Sequence, residues 1–568
     1  MIKQIHFLRL VFALLIMLLH QHSAQCQQSI ARYWNEVHLE CIRNSFAKPT
    51  VHARHLHHMG VIMYDAWAAY DDVARPYMLG RTVGGYYTPF ECFPGVDSTG
   101  LDAARDLAIS HAAYTYLMDR YTIPAEVPVN NIPFLLNLIY DAFVALGYNP
   151  NNAGTDYQSG DPAQLGNYIG EQMLAYGLVD GSNQQGTPSY GNQVYQPSNF
   201  TLDPVAQSGN PGSENPNGWQ PMSLAVCTDQ AGNPVPCPSG NGVPALTPEW
   251  GNVVPFSLTE CQRTYFNRAD HDWPIYLDQG EPPYLQDTNY LPDSILGPNV
   301  NLFKFGFVNT LMWHHFHNNF NGQMIDTSPA HTGNLNLVEN PTSAGEIGPG
   351  DLPTTVEEFY NWYNLFTGEL NVPSGYEENP ITGQPYAPQE VPMADFSRAT
   401  AQYWADGPRS ETPPGHWFKL FNEVTDSLDD QKYWRADPSQ PVTDLEWDVK
   451  SYFTLGGAVH DAAVACWSTK GAYDYTRPIF AIRMMADSGQ CTNPALPSYH
   501  IHGLPLIDGY IELVTQADID DPTLSFDQND LHEIKVNTWL GPYGVGLPNN
   551  QWQGTLQDSS GWKLAKKW

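Results

Sequence analysis

Two cations set the first question. In "WSTKGAYDYTRP" (467–478), Lys470 precedes Arg477 by seven positions, and Pro478 follows Arg477 directly. An arginine presents a planar fork to two oxygens and a lysine adds a mobile point charge, which together suit a tetrahedral or trigonal-bipyramidal oxyanion. Seven positions are nearly two helical turns, so on one continuous helix both side chains would share a face. Pro478 disfavours helical geometry at Arg477, and Gly471 is a candidate helix C-cap. These signals favour helix, short turn, helix. Pro478 then takes the first position of the second helix, and Arg477 lies at its N-terminus, where anions are favoured. Spacing alone does not separate this arrangement from solvated charges at a helix end. Context does more: the preceding run Ala458–Trp467 is apolar almost all round, as in a helix inside a bundle, and Trp467 lies one turn before Lys470. Asp461 and Asp474 are the competing partners that would neutralise the two cations.

Helices must position these residues. Apolar spacing with cap and turn signals predicts helices over 29–75, 101–120, 131–147, 162–178, 301–320, 354–368, 391–405, 414–427, 447–470, 478–487 and 504–517. Strand signal is slight, so the expected class is mainly α. Residues 180–300 differ, being rich in Gly, Asn, Pro and Ser and too long for a plain linker. Trp219, Trp250, Phe256 and Tyr265 within it mark an ordered loop layer draped over helices. One internal echo, "MYDAWAAYDDVARP" (63–76) against "VHDAAVACWSTKGAYDYTRP" (459–478), is what two related helical bundles would leave.

The stretch "WSTKGAYDYTRPIFAIR" resembles the first signature box, K-x6-R-P, of the vanadium-dependent haloperoxidases and the related PAP2-type acid phosphatases. Lys470, Arg477 and Pro478 match the box, and Trp467 matches the aromatic that precedes the lysine in some haloperoxidases. The flanks "RYWNEVHLECIRNSFAKPTVHARHLHHMGVIMYDAWAAYD", "NNFNGQMIDTSP", "ETPPGHWF" and "LPSYHIHGLPLIDGYIELV" look like bacterial members of the group, so the likeness runs from about residue 30 to the last residue. The resemblance implies helical bundles with a long loop-rich insertion. It implies vanadate as cofactor, held by Lys470, Arg477 and Trp467, with peroxide and halide as the other small partners. In the phosphatases of the group a histidine attacks phosphorus instead.

The family's later boxes, P-S-G-H and S-R-x5-H-x3-D, are not found. "PSYH" (497–500) has Tyr499 where glycine lets backbone approach the oxyanion; "PPGH" (413–416) lacks the serine; "PSGY" (373–376) lacks the histidine; and "SR" (397–398) is followed by Trp404 where a metal-binding histidine would fall. No catalytic residue and no histidine ligand to the metal is therefore assignable. The closing "GWKLAKKW" reads as an interrupted helical or pre-loop segment, and the expectation is a truncated or frame-disrupted relative whose C-terminal bundle is incomplete and which does not oxidise halide. An acid-phosphatase-like hydrolase and a non-catalytic secreted scaffold are the alternatives.

Composition narrows the rest. The chain has 568 residues and a formal net charge of −34, which argues against nucleic-acid binding and makes any anion site a local exception. Lys3 and Arg9 precede the apolar run Leu10–Leu19, and Ser23 and Ala24 follow. This is the layout of a secretory signal cleaved near Gln25–Gln27, which places the protein outside the cytoplasm or in the periplasm. No later stretch is apolar and long enough to span a membrane. With export, disulfides become possible, and Cys227 with Cys237 is the favoured pair. The expected division is 1–26 signal, 27–180 N-terminal helical region, 181–300 loop-rich layer and 301–568 partial haloperoxidase-like domain. "VHARHLHH" and "WHHFH" read as packing or surface histidines rather than metal ligands. "DIDDPTLSFDQND" reads as a solvated loop, lacking the turn glycine of a calcium loop. His460 and Asp461 read as a buried polar pair.

Overall fold

A computed structural model describes residues 28–91, 100–290, 298–316, 324–330, 378–428, 432–434, 439–540 and 560–568, apart from positions 188, 212, 225, 239–241, 329, 380, 381, 406 and 408. The expected export signal, the helix at 354–368, Cys92 and His317 lie outside these residues.

The fold is mainly α. Helices α1 (Ile30–Arg43), α2 (Pro49–Ala68), α3 (Leu101–Arg120), α4 (Ile132–Ala145) and α5 (Pro162–Tyr176) precede the loop layer. Helices α6 (Leu302–Phe316), α7 (Met393–Trp404), α8 (Thr412–Ser427), α9 (Asp444–Tyr473) and α10 (Pro478–Ser488) follow it. One core joins α1–α5 to α8 and the first half of α9 through Trp34, Leu56, Ile62, Tyr116, Phe143, Phe418, Val449 and Tyr452. At its centre α2 is buried on nearly every face. Helices α2 and α9 meet backbone to backbone, because a Cβ at Gly60 would lie 2.6 Å from the Tyr452 carbonyl oxygen.

Burial of α2 explains its histidines. His52, His55, His57 and His58 are all inside the core. Arg54 is paired there with Asp180 and also donates to the Gly177 carbonyl at 2.7 Å. The Tyr190 hydroxyl donates to Glu126 at 2.6 Å, and His57 stacks on His460 at 4.9 Å. The packing reading of "VHARHLHH" therefore stands. In "WHHFH", His314 and His315 tie α6 to the Thr538 hydroxyl and the Asn537 carbonyl.

A second core packs α6 and α10 against a three-stranded sheet through Phe303, Val308, Leu311, Ile482, Met485, Ile511 and Val536. The sheet is β3 (Ile511–Leu513), β4 (Ile534–Trp539) and β5 (Ser560–Leu564) in antiparallel order, below the hairpin strands β1 (Arg263–Arg268) and β2 (His271–Tyr276) in chain order. This corrects two expectations. Residues 504–517 do not form one helix: Asp508 and Gly509 turn the chain, Ile511 pairs with Val536, and helix begins only at Gln516. The first half of "GWKLAKKW" is not helical but belongs to β5, with Asn537 opposite Trp562, and only Ala565–Lys567 form a single 3-10 turn.

The loop layer carries structure of its own. Strands β1 and β2 pair from Arg263–Tyr276 to Arg268–His271 and turn at Ala269 and Asp270, whose φ angles of 53° and 59° suit a tight two-residue hairpin. Cys227 and Cys237 form a disulfide, as expected. Among the described residues no helix is long and apolar enough to cross a membrane.

Candidate functional site at the junction of α9 and α10

Helix α9 begins where the Thr443 side chain accepts from the Glu446 amide, with Asp444 and Glu446 in the positive first turn. It was expected to be covered all round between Ala458 and Trp467. Instead one face, with Gly456, His460, Ala463 and Val464, is buried, while Ala458, Ala462, Cys466 and Lys470 form an exposed stripe at four-residue spacing. Small apolar residues look alike on both faces, which is why periodicity did not separate them.

The C-terminus also differs from expectation. Gly471 is not the cap: the helix runs to Tyr473, and Asp474 takes the left-handed position at φ 48°. Gly471 is needed for a close approach, because a Cβ there would meet the Pro248 carbonyl oxygen at 1.7 Å. The turn is clamped from the loop layer. The Tyr195 hydroxyl and the Ser198 hydroxyl donate to the Asp474 carboxylate. The Trp219 amide donates to the Asp474 carbonyl at 2.7 Å, and the Thr476 amide donates to Asn217 at 2.8 Å.

Pro478 then opens α10 at its first position, with Arg477 as the extended residue before it, φ −105° and ψ 156°. The helix–turn–helix reading of the motif is therefore what the chain adopts, and both cations sit at that junction. Lys470 and Arg477 are exposed. Lys470 Nζ lies 3.9 Å from the centroid of the Trp467 ring, and Trp467 Nε1 donates to the Leu246 carbonyl at 2.9 Å. Protein crowding around Nζ lowers the Lys470 pKa, and the Arg477 charge lowers it further. The two cations are thus close enough to repel one another.

The competing carboxylates are engaged elsewhere. Asp461 accepts from the Phe256 amide at 2.6 Å and from the Ser257 amide at 2.8 Å and hydroxyl at 2.6 Å. His460 meets the Val254 carbonyl at 2.9 Å, so the pair anchors the 254–257 loop. Asp474 serves the turn and faces Arg268 at 3.8 Å. Among the described residues neither Lys470 nor Arg477 has a carboxylate within ion-pair distance.

Sequence reasoning missed Arg268. From hairpin strand β1 it donates to the Gly471 and Ala472 carbonyls, both at 2.8 Å, and so caps the negative end of α9 beneath Lys470. It sits over the Trp273 ring at 4.8 Å. Its only local signal was an arginine before a turn inside a loop-rich stretch.

The rejected lookalikes fall away from catalysis. Ser498 of "PSYH" stands at φ 56° and donates to the His532 carbonyl at 2.8 Å. Arg398 of "SR" pairs with Asp395 on the same helix. Among the described residues no group of three or more His, Cys, Asp or Glu is placed to hold a metal ion. The donor set at the junction fits the charge of an oxyanion and supplies no ligand for a metal centre.

Residues 450–502 match the family model described as the VCPO second helical-bundle domain. No curated protein matches the chain. Among solved structures, an apo-type bacterial vanadium-dependent chloroperoxidase aligns at 14% identity and a TM-score of 0.43, covering 78% of this chain and 66% of its own. The holo-type bacterial enzyme aligns at 13% and 0.41 over the same shares. This chain thus spans just under two thirds of the length of these neighbours. The stretch similar to that bundle domain, residues 450–502, holds Trp467, Lys470 and Arg477 at the junction of α9 and α10.

Proposed function

We propose that Lys470 and Arg477 form an oxyanion site, for vanadate or phosphate, in a haloperoxidase-like protein whose 568 residues do not by themselves oxidise halide. The observation that carries this reading is the uncompensated pair of cations at the α9–α10 junction, beside two aspartates that are both occupied with backbone and hydroxyl donors. Arg477 would hold two oxygens at the N-terminus of α10, and Lys470 a third, steadied over Trp467. Vanadate with a histidine ligand supplies the peroxide activation on which halide oxidation depends. The sequence contains neither P-S-G-H nor S-R-x5-H, so its own residues bind and orient the anion and provide no acid, base or nucleophile for it. The same gap stands against a phosphatase, which needs the attacking histidine.

Export belongs to this reading and is supported by the basic, apolar and small-residue layout of residues 1–27 together with the Cys227–Cys237 disulfide. The division into 27–180, 181–300 and 301–568 goes with it.

Calorimetric titration of the purified chain with orthovanadate and with phosphate tests the site. Saturable binding that falls at least about tenfold in Lys470→Ala or Arg477→Ala, and disappears in the double variant, is expected. Binding that the double variant retains in full overturns the assignment and leaves a scaffold protein. Bromide oxidation by the chain with vanadate and peroxide overturns the lack of turnover.

A further inference from the structure

The sheet of the second core turns one lysine inward. Ile534, Val536 and Thr538 alternate onto one face of β4, and each is 1% exposed. Ile511 of β3 lies opposite Val536 and joins that buried face. On the other side of β4, the residue opposite Val536 is Lys563 of β5. Cross-strand partners share a face, so Ile511, Val536 and Lys563 form one row and the Lys563 side chain stands on the core side. Trp562 and Leu564 take the opposite face, where the Trp562 ring receives the Lys535 ammonium at 4.5 Å. Because β5 is an edge strand, Lys563 keeps part of its surface in solvent, so a small molecule can reach it.

This amine has no partner. Lys535 pairs with Glu512 and Asp518, and Lys566 pairs with Glu533. Among the described residues the Lys563 ammonium makes no ion pair and no hydrogen bond. Its charged neighbour is Arg483 of α10, a second cation. Arg483 is fully buried and donates to the Pro204, Gln207, Gly209 and Trp568 carbonyls, so its guanidinium is committed to backbone. Asp487, the next acid on α10, is exposed and forms no ion pair with either cation. His314 of α6 is held by Thr538 and Trp568. The facing residues of β3 and β4, Ile511 and Val536, carry no charge.

A lysine that is partly desolvated beside another cation favours its neutral, nucleophilic form. Burial, and then the Arg483 charge, push Lys563 down to about 8. At pH 7 about one tenth of such amines carry a free lone pair, against fewer than about one in a thousand ordinary lysines. No acid or base is hydrogen-bonded to Lys563, so the electrophile that fits is one whose capture needs only the amine. An aldehyde meets that condition, since water is its leaving group. We propose that Lys563 is a covalent attachment site for small uncharged aldehydes, held as an imine at the edge of the second core. The amine nitrogen bonds to the carbonyl carbon, the carbonyl oxygen leaves as water with both amine protons, and a carbon–nitrogen double bond remains. Hydrolysis reverses the step.

The test treats the intact chain with propanal and cyanoborohydride, which reduces the imine to a stable secondary amine, and reads each lysine by peptide mass spectrometry. At about pH 7 Lys563 should be propylated at least about fivefold faster than exposed Lys419 and Lys567. That lead should shrink as pH rises to about 10, where ordinary lysines also lose their protons. In concentrated urea the lead should vanish, because Arg483 and the core no longer surround the amine. Labelling of Lys563 no faster than of Lys419 and Lys567 overturns the proposal. So does a lead that stays constant from about pH 7 to about pH 10, or one that survives in urea.

Discussion

Lys470 Nζ rests 3.9 Å from the centroid of the Trp467 ring one turn earlier on α9, and that ring is itself pinned by its N–H to the Leu246 carbonyl. An aromatic face attracts a cation without neutralising it, so it can hold an ammonium ready for an anion. Replacing Trp467 by leucine should therefore weaken phosphate or vanadate binding about three- to tenfold, while Trp467→Phe keeps the ring and most of the affinity. Calorimetric titration separates the two variants. An equal loss in both would move the role from the ring to the indole N–H.

The lowered pKa of Lys470 makes anion binding sensitive to alkaline pH. A cation whose value is depressed loses its proton earlier as pH rises, and with it one of the two positive charges at the junction. Binding by the parent chain should decline below the pH at which an ordinary lysine titrates. Lys470→Arg should keep its charge and flatten that decline, at some cost in fit. A parent profile that matches the arginine variant across the alkaline range would remove Lys470 from the site.

Gly471 and Gly306 make a contrasted pair for stability. A Cβ at Gly471 would lie 1.7 Å from the Pro248 carbonyl oxygen, so Gly471→Ala must push the 246–248 segment off α9. The expected loss is about 3 kcal/mol, with weaker anion binding because Trp467 loses its anchor on the same segment. A Cβ at exposed Gly306 in α6 meets nothing within 4 Å, so Gly306→Ala should stabilise by about 1 kcal/mol. Urea unfolding of both variants measures the difference.

What the sequence made legible was local. The helices expected at 101–120, 162–178 and 414–427 from apolar spacing with turn or cap signals form at Leu101–Arg120, Pro162–Tyr176 and Thr412–Ser427, and the motif's proline opens α10. The misreadings came from distant contacts. Gly471 carries the mark of a cap, yet its true constraint is a carbonyl more than two hundred residues away. The apolar run around Ile507 and Ile511 fits a helix until β4 offers Val536 as a partner. Whether Asp461 and Asp474 neutralise the cations could not be read from spacing, because the donors that occupy them come from residues 195–198 and 256–257. Arg268 was invisible for the same reason.

The buried histidines around α2 and α9 make acid the weak side of this fold. Burial holds His38 and His52 at about 3, and lowers His55, His57, His58 and His460 as well. A histidine depressed in the fold stabilises it above the ordinary value near 6.5 and loses that contribution as pH falls toward its folded value. Burial raises Glu126 to about 7 and Asp65 and Asp448 to about 6. A raised carboxyl acts in the opposite sense, favouring the fold as pH falls. Between about pH 7 and about pH 5, His38 and His52 each withdraw about 2 kcal/mol, while the three carboxyls return about 1 to 2 kcal/mol apiece. Those groups nearly cancel, so His55, His57, His58 and His460 decide the sign, and all four act against the fold in acid. Urea midpoints should fall as pH drops across that range, and the fall should shrink in His57→Phe, which removes one titrating ring from the stacked His57–His460 pair. A midpoint that holds steady or rises on acidification would mean that the carboxyls around Glu126, not the histidines, govern the core.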